Sequence, residues 1–192
     1  MTTFDYYLLI INAVGFVAFL MNHLLYKYTE TAHIDPLITI LALAGGSPGI
    51  IIGILIFERK PIKDNMMSRV FVACVFVIEL IAFLAIKGFI AKKLTFAFWT
   101  FFSDHKWLLY YLIVINVVAL IMFAIDKINA VEHRNRIRIV SLLGIAFVGG
   151  SVGSLLAMYL FHHKTKKDYF SVGVPLIMVM QIILVFYLMN IK

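Results

Sequence analysis

The chain has 192 residues, 63% of them hydrophobic and 14% charged, with a net charge of +7 and a mean hydropathy of +1.00. Soluble domains are about 45–50% apolar and about 25% charged, so this composition excludes a soluble core and makes lipid the solvent. A single cysteine, Cys74, excludes a disulfide framework or cysteine-based metal site, and the positive balance reports Lys and Arg at headgroup level beside anionic lipid, not a nucleic-acid partner.

A helix needs about 20 apolar residues to cross the hydrocarbon layer. Six stretches meet that length: residues 4–26, 36–57, 70–90, 107–125, 139–161 and 170–191. The first follows a start with no basic region and no small-residue cleavage pattern, so it reads as a retained helix and not as a signal peptide. Asp35-Pro36 opens the second as N-cap and first helical residue. Between the third and fourth, residues 94–102 are aromatic, too short to cross, and isolated by Lys92-Lys93 and Asp104-His105-Lys106. They read as an interfacial segment, and Trp107, Tyr110 and Tyr111 then open the fourth stretch as an aromatic belt.

Sliding the chain by 104 residues aligns its halves without a gap. Tyr6-Tyr7-Leu8 falls on Tyr110-Tyr111-Leu112, Asn12 on Asn116, and Lys63-Asp64 on Lys167-Asp168. Gly45-Gly46-Ser47-x-Gly49 falls on Gly149-Gly150-Ser151-x-Gly153. Three crossings per copy would set the second copy upside down, whereas an even count would make the copies parallel. The expected fold is therefore an all-α integral membrane protein with six transmembrane helices as two inverted three-helix repeats. Residues 1–93 form the first repeat, 94–106 an interfacial linker and 107–192 the second repeat. On that topology Lys and Arg divide nine to eight between the two sides, with all five Arg on the side of the N-terminus. The expected setting is the inner (plasma) membrane of a prokaryote, with both termini cytoplasmic.

The paired glycine motifs are the first candidates for chemistry. Gly45, Gly46, Gly49, Gly149, Gly150 and Gly153 let helices pack closely. They equally suit broken helices whose freed backbone groups, with the Ser47 and Ser151 hydroxyls, bind an ion or solute. Glu79 lies near the bilayer midplane, where an ionisable group is a functional hypothesis by default. Its partner at the 104-residue offset is Ile183, and Gln181 is the nearest polar side chain at similar depth. Asn12 and Asn116 read either as cross-helix hydrogen-bonding groups or as ligand contacts. His163, Lys164, Lys166 and Lys167, with Arg134, Arg136 and Arg138, form basic rims suited to lipid phosphates or a partner. No spacing suits a metal, no catalytic signature is present, and no cofactor is expected.

The second half carries Asn116, Asp126-Lys127, Arg136-Ile137-Arg138, Gly149-Gly150-Ser151-x-Gly153, Met158, His163-Lys164-Thr165 and Phe170. In these residues it resembles the family of small bacterial membrane proteins called domain of unknown function 1294. The family signature is Asp-Lys, Gly-Gly-x-x-Gly and His-Lys-Thr. The first half departs from it, with Asn22-His23 and Arg59-Lys60-Pro61 in the corresponding places. The resemblance implies a tandem fusion of two family units and supplies no activity.

Three functions follow as expectations. The leading one is a channel or transporter for a small ion or solute, its site lying where the repeats meet. The second is a non-transporting protein that binds anionic lipid headgroups or a partner protein; under any of the readings the chain could form a homo-oligomer. The third is a membrane-embedded enzyme using Asp126, His163 and Lys164. Six crossings would put Asp126 and His163 on opposite faces of the membrane, which weighs against the third.

Overall fold

The computed structural model describes residues 3–29, 35–58, 60–61, 65–91 and 93–191; Arg59, Lys63, Asp64 and Lys92, named above, lie outside them. Among the described residues all regular structure is helical. Six segments are long and apolar enough to cross a membrane: Thr3–Tyr28, Asp35–Phe57, Met66–Ile86, Lys106–Val131, Ile139–Leu160 and Asp168–Met189. The protein is a polytopic membrane protein. It divides into two compact units, Met1–Phe83 and Leu84–Lys192.

In unit 1, α1 (Thr3–Thr29) is followed by α2 (Asp35–Leu41), a linking turn (Ala42–Gly46), α3 (Ser47–Phe57) and α4 (Met66–Ile86). The stretch from α2 to α3 is long enough to cross but does not run straight. Asn22 Nδ2 donates to Asp35 Oδ1 at 3.0 Å, and the next residue, His23, meets Glu58 at 3.6 Å. A straight helix would hold Asp35 and Glu58 roughly 35 Å apart. Both ends of the stretch instead sit at one level of α1. From the turn onward, Gly49 lies on Asn12 and Gly53 on Phe19, so α3 climbs parallel to α1. The segment is a hairpin that enters and returns on one face. Its descent from Asp35 to Ala44 covers roughly 14 Å, about half of the roughly 30 Å hydrocarbon layer. Ile38, Ala42, Ile50, Ile54 and Phe19 pack between its arms and α1, with Val72 and Val75 of α4. Phe83, near the end of α4, stacks on Phe4 at 6.4 Å, so α4 crosses back towards the start of α1.

Unit 2 repeats this path. After α5 (Phe98–Asp104) come α6 (Lys106–Val131), α7 (Ile139–Ile145), a turn (Ala146–Gly150), α8 (Ser151–Leu160), α9 (Asp168–Ser171) and α10 (Gly173–Met189). Ile137 N donates to Asp126 Oδ1 at 2.9 Å, and His163 Nε2 lies 2.8 Å from Asp126 Oδ2. One carboxylate thus holds both mouths of the hairpin, which a straight helix would separate by roughly 39 Å. At the other end of the unit, Asn190 accepts from Thr95 N at 2.7 Å and its backbone carbonyl from Ala91 N at 2.8 Å, tying the preceding strand of chain to the end of α10.

Length and apolarity therefore hold for all six segments, but the second and fifth double back. Each unit has two full crossings and one hairpin. The two hairpins change the count of three crossings per copy on which the inverted arrangement rests.

Candidate functional site

Each hairpin tip is built by its Gly-Gly-Ser-x-Gly sequence. Gly45 has φ 108° and Gly149 φ 129°, left-handed conformations that glycine adopts without the Cβ clash other residues meet. The turn reverses the chain there. Four residues on, a Cβ added to Gly49 or Gly153 would stand 2.0 Å from the backbone oxygen of Asn12 or Asn116, so only glycine lets the returning arm approach so closely. Small residues at such crossings are what membrane helix packing requires.

The two asparagines staple the tips. Asn12 Nδ2 donates to Leu8 O at 2.8 Å and to Gly45 O at 3.0 Å, while its Oδ1 accepts from Gly49 N at 2.8 Å. Asn116 does the same with Leu112 O, Gly149 O and Gly153 N at 2.7, 2.9 and 2.7 Å. The Tyr7 and Tyr111 hydroxyls donate to Ala44 O and Val148 O at 2.6 and 2.5 Å. A backbone break within lipid leaves polar groups that must be paired inside the protein. These side chains pair them, and both amide protons of each asparagine are used in doing so.

Behind each tip stands the serine. Ser151 Oγ donates to Gln181 Oε1 at 2.5 Å, and Gln181 Nε2 donates to Ala146 O at 2.7 Å and Phe147 O at 2.9 Å. In unit 1, Ser47 Oγ donates to Glu79 Oε2, and Glu79 Oε1 is buried without a hydrogen-bond partner. Glu79 thus corresponds by its contacts to Gln181, not to Ile183. The gapless offset fails here because α4 starts at Met66 and α9 at Asp168, so the two segments already differ by two residues from that offset where they begin.

At the base of unit 2, Asp126 is fully buried. Besides Ile137 and His163 it holds Lys164, whose Nζ lies 2.6 Å from Oδ2. The expectation that Asp126 and His163 lie on opposite faces is corrected by this cluster: α8 returns to the face from which α7 left. His162 and Lys164 have φ 46° and 62°, a left-handed turn that non-glycine residues enter at some cost. Lys164 also lies over the Phe170 ring at 4.8 Å, and Phe170 meets Phe123 edge-on at 5.6 Å. Burial pulls the Lys164 ammonium below the ordinary lysine range, and the bond to Asp126 opposes that pull. Arg134, Arg136, Arg138, Lys166 and Lys167 are exposed around this base, with Arg134 paired to Glu132 at 3.0 Å. The base of unit 1 reverses the polarity, with His23 on the helix and Glu58 on the returning arm.

The sequence candidates therefore fall into three groups. Asn12, Gly45, Gly46, Ser47, Gly49 and Glu79 converge at one tip, and Asn116, Gly149, Gly150, Ser151 and Gly153 at the other. The basic residues ring the base of unit 2. Gln181 closes the second tip and Asp126 the second base; the Asp126-Lys127 pair at the end of the fourth apolar stretch was the signal for the latter.

Comparison with known proteins follows the same geometry. The family model described as a protein of unknown function (DUF1294) matches residues 116–170. The uncharacterized protein YsdA of Bacillus subtilis (strain 168) is 43% identical over 75 residues, covering 39% of this chain and 84% of that protein. The chain belongs to the DUF1294 family. No solved structure matches it. The DUF1294 match starts at Asn116, which staples the tip, and ends at Phe170, which lies under Lys164. It therefore spans the hairpin together with both of its attachments to α6.

Proposed function

We propose that this protein carries a small ion or solute across the membrane, with the hairpin tip of unit 1 as its binding point. The observation that carries this reading is the broken backbone at Gly45 and Gly149, held at mid-depth in two hairpins. Non-helical backbone at that depth is tolerated only where it is buried or lines a cavity, and glycine-interrupted segments in matching places point to a transport site. Unit 1 adds a buried, unpaired carboxyl oxygen on Glu79 at that point. The repeated staples support a tandem duplication of one family unit. A bacterial relative supports a prokaryotic plasma membrane as the setting. The exposed Trp99 and Trp107 support a headgroup-level seat for residues 94–102.

The test is a flux panel in proteoliposomes with wild type, Glu79→Gln and Gly150→Leu. Glu79→Gln is expected to lower flux at least about tenfold, equivalent to ~1.4 kcal/mol of barrier. Gly150→Leu is expected to lower it less if the working tip is that of unit 1. Flux unaffected by Glu79→Gln would move the site elsewhere. The convergence of both basic loops at the base of unit 2 favours a second reading, the binding of anionic lipid headgroups. Absence of flux for every ion and solute, in protein with an intact thermal transition, would leave that second reading in place of transport.

A further inference from the structure

The two hairpin tips meet one demand with different chemistry. In unit 2 the carbonyls of Ala146 and Phe147, at the end of the descending arm, both accept from the Gln181 amide. In unit 1 the equivalent side chain is Glu79. Its Oε2 takes the hydroxyl of Ser47 as Gln181 Oε1 takes that of Ser151. Its Oε1 then falls where the glutamine has its NH2 group, and it is buried with no partner. Glutamine and glutamate have the same shape, but an ionised carboxylate has no proton to donate, whereas a protonated one has a single O–H. By the 104-residue offset the counterparts of those two carbonyls in unit 1 are on Ala42 and Leu43. The Ser47 hydroxyl and the backbone N–H groups of Gly45 and Ser47 face the carboxyl group, but Oε1 stays unpartnered, and an ionised carboxylate would hold a charge within lipid, which is costly. A proton on Oε1 removes that charge and gives the atom an O–H where Gln181 has its N–H.

We infer that Glu79 Oε1 is a proton-binding site: hydronium gives its proton to the carboxylate, leaving water and a neutral carboxylic acid, and release is the reverse. The inference rests on the transport reading above and names the ion as H⁺. Unit 2 holds an amide in the same place, which neither gains nor loses a proton, so its tip is closed and only the tip of unit 1 works. Among the described residues, Tyr7 stands at this tip with its hydroxyl on Ala44 O, Asp5 lies half a turn before it on α1, and the buried Cys74 thiol lies on α4 itself. Asp35, His23 and Glu58 are engaged at the base, and Arg69 of α4 donates to Glu58 O there.

The full chain in lipid is titrated by infrared difference spectroscopy, which reads the C=O stretch of a protonated carboxyl, and proton uptake into liposomes is followed with a pH dye. The expected result is a carboxylic-acid band that disappears at high pH and is missing in Glu79→Gln. Proton flux in that variant should fall at least about tenfold, with the thermal transition retained because the new amide can donate as Gln181 does. Gln181→Glu is expected to add a second band. Spectra of wild type and Glu79→Gln that do not differ overturn the inference; if another ion is then carried, transport itself stands. A band with no flux of any kind keeps the proton site and removes transport. A folded Gln181→Glu protein without a second band also counts against the inference.

Discussion

Asp126 is a residue whose burial only makes sense through its partners. It accepts from Ile137 before the hairpin and from Lys164 after it, with His163 beside both. Breaking a buried pair strands the remaining charge and typically costs about 3–5 kcal/mol. Asp126→Asn keeps the shape and removes the charge, so it is expected to destabilise the protein by about that amount in detergent unfolding. Lys164→Met placed in the same chain should recover part of the loss, since no cation is then left unpaired. A double variant as unstable as the sum of its parts would show that the pair does not strap the hairpin. The residue types of this cluster were legible in the sequence as family signature. Their contact was not, because counting residues 139–161 as a crossing sends Asp126 and His163 to opposite faces.

The same limit acts at the scale of the element. Hydropathy counts apolar residues and has no information about direction, so a hairpin of two apolar arms scores as one span. The glycine pairs marked the place of the break, and the alternatives of packing or interruption could not be separated without the φ angles of Gly45 and Gly149. The asparagine pairs were legible as hydrogen-bonding groups, but their acceptors lie on a different helix and depend on the reversal. A direct check uses single cysteines in a Cys74→Ala background, labelled in sealed vesicles. Arg134→Cys and Lys166→Cys should react from the same side, as should Tyr28→Cys and Lys60→Cys. Labelling of either pair from opposite sides would make that segment a true crossing.

For the whole molecule, the hairpins change how charge reports orientation. Among the described residues of unit 1, Lys27, Lys60 and Arg69 all lie at the hairpin-base end. In unit 2, Lys127, Arg134, Arg136, Arg138, Lys164, Lys166 and Lys167 lie at the base, against Lys87, Lys93 and Lys106 at the other end. The near tie counted on six crossings becomes a clear bias within each unit taken alone. For each unit taken alone, the positive-inside rule predicts a cytoplasmic hairpin base. On that prediction the first end of α1 and the last end of α10 would face outward, whereas six crossings predict cytoplasmic termini. Reporters fused at either terminus should be active on the outer side, and cytoplasmic activity at both would restore the earlier orientation.

Synthesis of the chain gives the base cluster another meaning. Asp126 leaves the ribosome 37 residues ahead of His163, so α6 enters the bilayer while its carboxylate has no cation to meet. At 26 residues α6 is roughly 39 Å long, more than the hydrocarbon layer needs, and this lets the waiting carboxylate rest among the headgroups. It is drawn under cover only when the His-Lys-Thr turn has emerged. Newly made protein would thus hold a hydrated, unlatched hairpin until its returning arm is complete, and the ion pair can close the base before α10 brings Gln181 to the tip.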